Sequence, residues 1–225
     1  HELRTPAAAI KALAEALEAG ALTDPVHGPR FLEQIVAAAD RLTEIVDDMM
    51  TLTRVERGGR VLDARRLPAT QALEDAAAGV RPAAGVRGIE VVVEASDNAE
   101  VFADPESLRT LVVNLLDNAV KYSPEGGRVV VRGQAAPGGF EVAVIDKGIG
   151  IPPEHHARIF ERFYRVDRAR DRATGSTGLG LAIVKHIAEA HGGWVRVESA
   201  PGQGATFTAF FPASPARAPA GPPRS

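Results

Sequence analysis

The run Leu111–Tyr122, LVVNLLDNAVKY, limits the possible folds more tightly than any other stretch. At roughly 100° per residue, Asn114, Asn118 and Lys121 fall within about 60° of one another on a helical wheel. Leu108, Val112, Leu115, Leu116, Ala119 and Val120 cover the far side. Such a helix must lie on a core and keep one polar ridge open. Two carboxamides and an ammonium on that ridge can offer oxygen ligands to a hard cation such as Mg²⁺ and a positive charge to phosphate. The same residues also suit a helix whose polar face only meets water, so the choice turns on the rest of the chain.

Composition narrows the choice by exclusion. The chain has 225 residues, of which 45% are hydrophobic and 24% charged, enough for one large core and a smaller one. A net charge of −3 leaves no basic footprint for nucleic acid, so no nucleic-acid partner is expected. No run approaches the roughly 18 apolar residues of a membrane span, so this stretch is not expected to be inserted in a bilayer. With no cysteine, any bound metal must rely on oxygen or nitrogen ligands, and the composition suits a reducing compartment. The sequence opens on His rather than Met and carries no signal peptide, which reads as a piece of a longer polypeptide.

Taken in order, Leu3, Ile10, Leu13 and Leu17 mark a helix already under way at the first residue. Gly20 to Pro29 reads as a turn region. In the helix that follows, Leu32, Ala39 and Val46 form one heptad series and Ile35, Leu42 and Met49 another. A helical hairpin cannot bury such stripes alone, and a second copy would complete a four-helix bundle, so the pattern predicts a homodimer. Arg57-Gly-Gly-Arg60 marks a hinge. Beyond it the expected elements are a strand over 60–67, a helix over 69–79 and strands over 89–95 and 100–103. Asp104-Pro105 supplies a helix start, followed by strands over 128–132, 140–145, 194–198 and 205–211. Helices among hairpins predict an α+β two-layer sandwich with a mixed sheet. From Pro212 onward, Pro, Ala, Arg, Gly and Ser predominate and predict a disordered tail. The expected division is residues 1–58, 59–212 and 213–225.

Two glycine blocks carry further chemistry. Asp146 ends the strand-like VAVI and enters Lys147-Gly148-Ile149-Gly150. A carboxylate at a strand end can accept from an exocyclic amine while glycines admit a flat ring, although in isolation the block reads more readily as an ordinary Asp-Lys-Gly turn. Gly175-Ser-Thr-Gly-Leu-Gly-Leu181 opens an amphipathic helix whose free N–H groups could cradle phosphate. It is neither a Walker loop nor a Rossmann fingerprint. Between these blocks, Phe160 and Phe163 suit core packing, and the polar run after Asp167 reads as a lid ordered by a nucleotide.

These blocks, with His1-Glu-Leu-Arg-Thr-Pro6 at the start, resemble in order and spacing the transmitter region of a bacterial sensor histidine kinase over roughly residues 1 to 212. The resemblance implies a phosphoacceptor hairpin followed by a sandwich of the histidine kinase/Hsp90-like ATPase type. It assigns His1 as the phosphorylated residue, Glu2 as its acid/base partner, and Thr5 to dephosphorylation of a response regulator. Pro6 would bend the helix just past the site. It places Asp146, Gly148 and Gly150 at adenine, Tyr122 against the nucleoside, and Asn118 and Asn114 at Mg²⁺. Lys121, Phe160, Arg165, Gly175, Thr177, Gly178, Leu179, Gly180 and Leu181 complete the ATP site. The implied partners are a second copy and a response regulator receiver domain, and the implied setting is the cytoplasmic region of a membrane sensor.

A free α-amino group beside the His1 imidazole could weaken phosphorylation at that position. Two other readings stand beside the resemblance. Hydrolysing relatives of the same fold carry a glutamate where this chain has Asn114, and an amide cannot activate water. A non-catalytic dimerisation module would bind ATP without turnover.

Overall fold

The computed structural model describes residues 2–56, 63–96, 98–166 and 176–214, without the side chains of residues 55 and 56. His1, the hinge at 57–60, the polar run after Val166, Gly175 and the tail beyond residue 214 lie outside the described residues.

Helix α1 spans Arg4–Glu18 and α2 spans His27–Glu56, joined by a 3₁₀ turn at Ala21–Thr23. Because α1 starts at Arg4, Pro6 falls in its first turn, where a missing N–H breaks no helical bond, and no bend is needed. The expected turn is also shorter. Asp24 Oδ1 accepts from the N–H groups of Val26 at 2.8 Å and His27 at 3.0 Å, so the helix begins at His27 and takes in Gly28 and Pro29. Those hydrogen bonds, with one from the His27 ring, hold the Asp24 carboxyl down at about 2.

The second unit opens with β1 (Arg65–Pro68), which pairs antiparallel with β3 (Glu100–Ala103). Helix α3 runs Ala69–Val86, past Gly79 where the sequence suggests an end and through Pro82. Its buried stripe of Leu73, Ala76, Ala77, Val80 and Ala84 continues across both breakers, so packing outweighs local propensity. Helix α4 spans Pro105–Tyr122 and is capped at both ends. The Asp104 carboxylate accepts from Ser107 N–H at 2.9 Å. At the C-terminus the Arg87 guanidinium donates to the carbonyls of Val120, Lys121 and Ser123.

Strands β2 (Glu90–Ala95), β4 (Arg128–Ala136), β5 (Gly139–Ile145), β6 (Trp194–Ser199) and β7 (Ala205–Pro212) form one sheet in the order β2-β4-β5-β7-β6. β2 is parallel to β4, and the other pairings are antiparallel, giving the mixed sheet expected. The alternating strands turn Val129, Val131, Phe140, Val142 and Val144 into the core, beneath α3, α4 and α5 (Gly180–Ala190). This is an α+β two-layer sandwich.

One polar group ties the far side together. His191 follows α5, is buried, and accepts the Asp104 N–H at Nε2 over 3.1 Å. Its Nδ1 therefore carries the proton, donated to the Ile187 carbonyl at 2.8 Å. Burial holds the imidazole below its ordinary value, against the upward pull of the Ile187 hydrogen bond and the Asp104 charge.

The two units touch through α2. Ile45 and Leu52, seven residues apart, are buried in the same apolar cluster as the sandwich core, and α2 packs on α5. Arg54 and Glu106 approach to 3.7 Å across the same junction.

Candidate nucleotide-binding site

A cavity of ≈ 340 Å³ opens between α4, the segment after β5, the loop before β7 and the start of α5. Its wall combines apolar side chains, Ile149, Ile151, Ile159, Leu181 and Phe207, with a few polar groups, Asn118, Tyr122, Asp146 and Arg165. This is the make-up of a small-molecule site.

Each polar group is placed by its element. Asn118 and Tyr122 are four residues apart, so α4 presents them on one line. Asp146 is only 8% exposed, and its Oδ1 accepts from Gly148 N–H at 2.7 Å and Ala205 N–H at 3.3 Å. Burial pushes the Asp146 carboxyl up, and those two backbone hydrogen bonds oppose the push. Gly150 has φ +71°, and a Cβ there would sit 1.9 Å from the Ala200 carbonyl oxygen, so no other residue fits.

On the opposite wall, Gly178 has φ +76°, and its carbonyl accepts from Phe163 N–H at 2.9 Å. Phe163 itself takes φ +61°, a left-handed conformation that costs a non-glycine residue about 1 kcal/mol or more. The cost is met where the phenylalanine block meets the glycine loop. Phe160 packs edge-on against Phe207 at 6.3 Å, which is the core role its sequence also suits.

The structure divides the remaining site candidates. Gly180 and Leu181 line the cavity, whereas Leu179 is fully buried behind it. Gly148 lies behind Asp146, against the Tyr122 carbonyl. Asn114 is not in the wall. Its Nδ2 donates to the Thr110 carbonyl at 2.8 Å, and its Oδ1 faces Gly180. Lys121 and Thr177 are also outside the wall and are drawn toward α2. Glu2 is half-buried and Thr5 exposed at the start of the hairpin.

Sequence reasoning missed several residues. Tyr164 lines the cavity, with its hydroxyl 2.6 Å from His155 Nδ1 and its ring 4.3 Å beneath the Arg158 guanidinium. Its place directly before Arg165 was the available signal. Ile151, Pro201 and Phe207 carry no such signal, because distant segments bring them together. Asp48 and Asp117 drew no attention in the sequence, yet burial pushes both carboxyls up.

Among the described residues no group of three or more His, Asp and Glu could hold a metal ion. A hard cation here would therefore rest on amide oxygens, such as that of Asn118, together with ligand oxygens. No helix among the described residues is long and apolar enough to cross a membrane.

Residues 103–215 match the model of the histidine kinase-, DNA gyrase B- and HSP90-like ATPase family, and residues 1–58 match the His kinase A phospho-acceptor domain. The chain is 42% identical over 215 residues to the sensor-like histidine kinase SenX3 of Mycolicibacterium smegmatis, covering 96% of this chain and 56% of that protein. It resembles the structure of full-length ShkA in complex with AMPPNP, with a TM-score of 0.68 and 33% identity over 96% of this chain and 46% of that one. The structure of histidine kinase ThkA in complex with response regulator protein TrrA has the same fold, with a TM-score of 0.76 at 22% identity, covering 96% of this chain and 60% of that one. The chain thus belongs to the histidine kinase-, DNA gyrase B- and HSP90-like ATPase family, as the transmitter region of a two-component sensor kinase. It spans about half the length of the curated relatives it matches.

Proposed function

We propose that the chain is an ATP-dependent protein-histidine autokinase that phosphorylates His1 and passes the phosphoryl group to an aspartate of a response regulator. The observation that carries this reading is the cavity, where a buried carboxylate, an asparagine, a tyrosine and an arginine converge on an apolar slot. Both backbone hydrogen bonds of Asp146 fall on Oδ1, so Oδ2 is the oxygen to meet the adenine amino group. Tyr122 would flank the nucleoside and Arg165 the phosphates. Asn118, with Asn114 after a turn of its amide, would hold Mg²⁺, whose charge neutralises phosphate oxygens when bound. The ShkA complex with a nucleotide analogue supports the site, and the ThkA–TrrA complex supports a response-regulator partner.

The chain's own part in catalysis is positioning. Hydrolysis would need a base to activate water. Among the described cavity residues the one carboxylate is Asp146, already engaged by two N–H groups. This favours transfer to an imidazole over hydrolysis. Residues 1–58 would form the phosphoacceptor hairpin, with Glu2 holding the His1 tautomer and Thr5 orienting water for dephosphorylation of the regulator. Residues 59–212 would form the ATP-binding unit. We further propose that the chain is a homodimer from the cytoplasmic side of a membrane sensor.

The test is incubation of the chain, extended upstream by about two helical turns so that His1 is internal, with γ-labelled ATP and Mg²⁺, beside His1→Gln and Asn118→Ala variants. Acid-labile, base-stable label on the chain, lost in both variants, is the expected result. Free phosphate without label would replace this reading by hydrolysis. Nucleotide binding with neither product would leave a non-catalytic module.

A further inference from the structure

The polar ridge of α4 is two ridges. Asn118 and Tyr122 face the cavity, while Asp117 and Lys121, one residue earlier in each case, are outside its wall and feel the charge of Asp48 on the hairpin. There Thr177 Oγ1 donates to Asp48 Oδ2 at 2.6 Å across a separation of 129 residues, and Arg41 donates to the Ser176 carbonyl at 3.4 Å. The Lys121 ammonium acts electrostatically on both Asp48 and Asp117. Arg41, Ile45, Asp48 and Leu52 are spaced 4, 3 and 4, one continuous stripe of α2.

We propose that Asp48 is a resident stand-in for nucleotide phosphate: it holds Thr177 while the sandwich sits on the hairpin, so phosphate binding and docking of the two units exclude each other. This inference rests on the ATP-binding reading and adds its regulation. The exclusion follows from proton count. The Thr177 hydroxyl has one proton, donated to Asp48, and its lone pair already accepts Leu179 N–H at 3.2 Å. A phosphate oxygen would need that same proton. Lys121 is likewise outside the cavity wall, and its charge acts on the Asp48 and Asp117 carboxylates. Phosphate arriving near Thr177 would add like charge beside Asp48, Asp47 and Asp117. Burial pushes the Asp48 carboxyl up, so the docked arrangement carries a desolvation cost that undocking releases. Adenosine, which has no phosphates, would meet Asp146 in the cavity and not this junction.

Asp48 is therefore a positioning residue, and the test separates phosphate from base. Affinities of the 225-residue chain for MgATP and for adenosine are measured by calorimetry, beside Asp48→Ala and Asp48→Asn. Asp48→Ala should bind MgATP about tenfold more tightly, with adenosine affinity within about twofold of the unaltered chain. Asp48→Asn, which keeps an acceptor but no charge, should fall between. Unchanged or weaker MgATP binding in Asp48→Ala overturns this inference alone. No MgATP binding by the unaltered chain overturns the ATP-site reading, and this inference with it.

A second measurement leaves Asp48 in place. The chain has no cysteine, so Glu33→Cys and Glu189→Cys accept spin labels on exposed positions of α2 and α5. MgATP should lengthen the distance between labels and adenosine should not. Equal distances with both ligands overturn the inference.

Discussion

The sandwich closes its own core, whereas the hairpin does not. In the sandwich Leu73, Leu111, Leu115, Phe140 and Phe211 are all 2% exposed or less. In α2, Leu32, Val46 and Met49 remain 48%, 45% and 40% exposed, and all three are heptad positions. The difference separates elements that bury their apolar faces against one another from a helix that leaves heptad positions open. One stripe of α2 stays exposed, and another, through Ile45 and Leu52, is already taken by the sandwich.

The comparison can be broken most forcefully inside the sandwich. Leu115→Ala removes a fully buried side chain and should lower stability by about 2–5 kcal/mol, read as an earlier denaturant midpoint at unchanged slope. A loss under about 1 kcal/mol would mean the core is looser than its burial implies.

The hairpin should respond in a different observable. Val46→Glu with Met49→Glu places charge on the open seam and should convert a dimer to a monomer in sedimentation, while the sandwich melts as before. A concurrent fall in the sandwich transition would show that the two units share one cooperative core.

The smallest expected effect sharpens the sandwich side. His191 is held neutral, with its folded-state value below the unfolded one, so the unfolded chain binds the extra proton more readily. Its contribution is fully present above about pH 6.5 and is lost as pH falls from there toward the folded-state value. Melting temperature should therefore drop on acidification through this range, and His191→Gln should flatten that slope. An unchanged slope would remove His191 from the account.

Local chemistry made much of this legible. Asp104-Pro105 announced the start of α4, and the observed carboxylate cap is the one its side chain permits. The resemblance named Asn118 and Tyr122 together, and both line the cavity. Other readings failed where packing overrules propensity, as when α3 continues through Gly79 and Pro82 because its buried stripe continues.

What the sequence determined by itself is whatever depends on neighbours within a few residues: helix faces, turns, caps, and the glycine at 150 whose left-handed backbone no branched side chain tolerates. Tertiary structure alone decided the split of one polar ridge into a cavity half and a junction half. A wheel places Asn114, Asp117, Asn118 and Lys121 on one side but cannot say which of them will meet α2. That depends on contacts such as Thr177 with Asp48, 129 residues apart, and no local period encodes a distance of that kind.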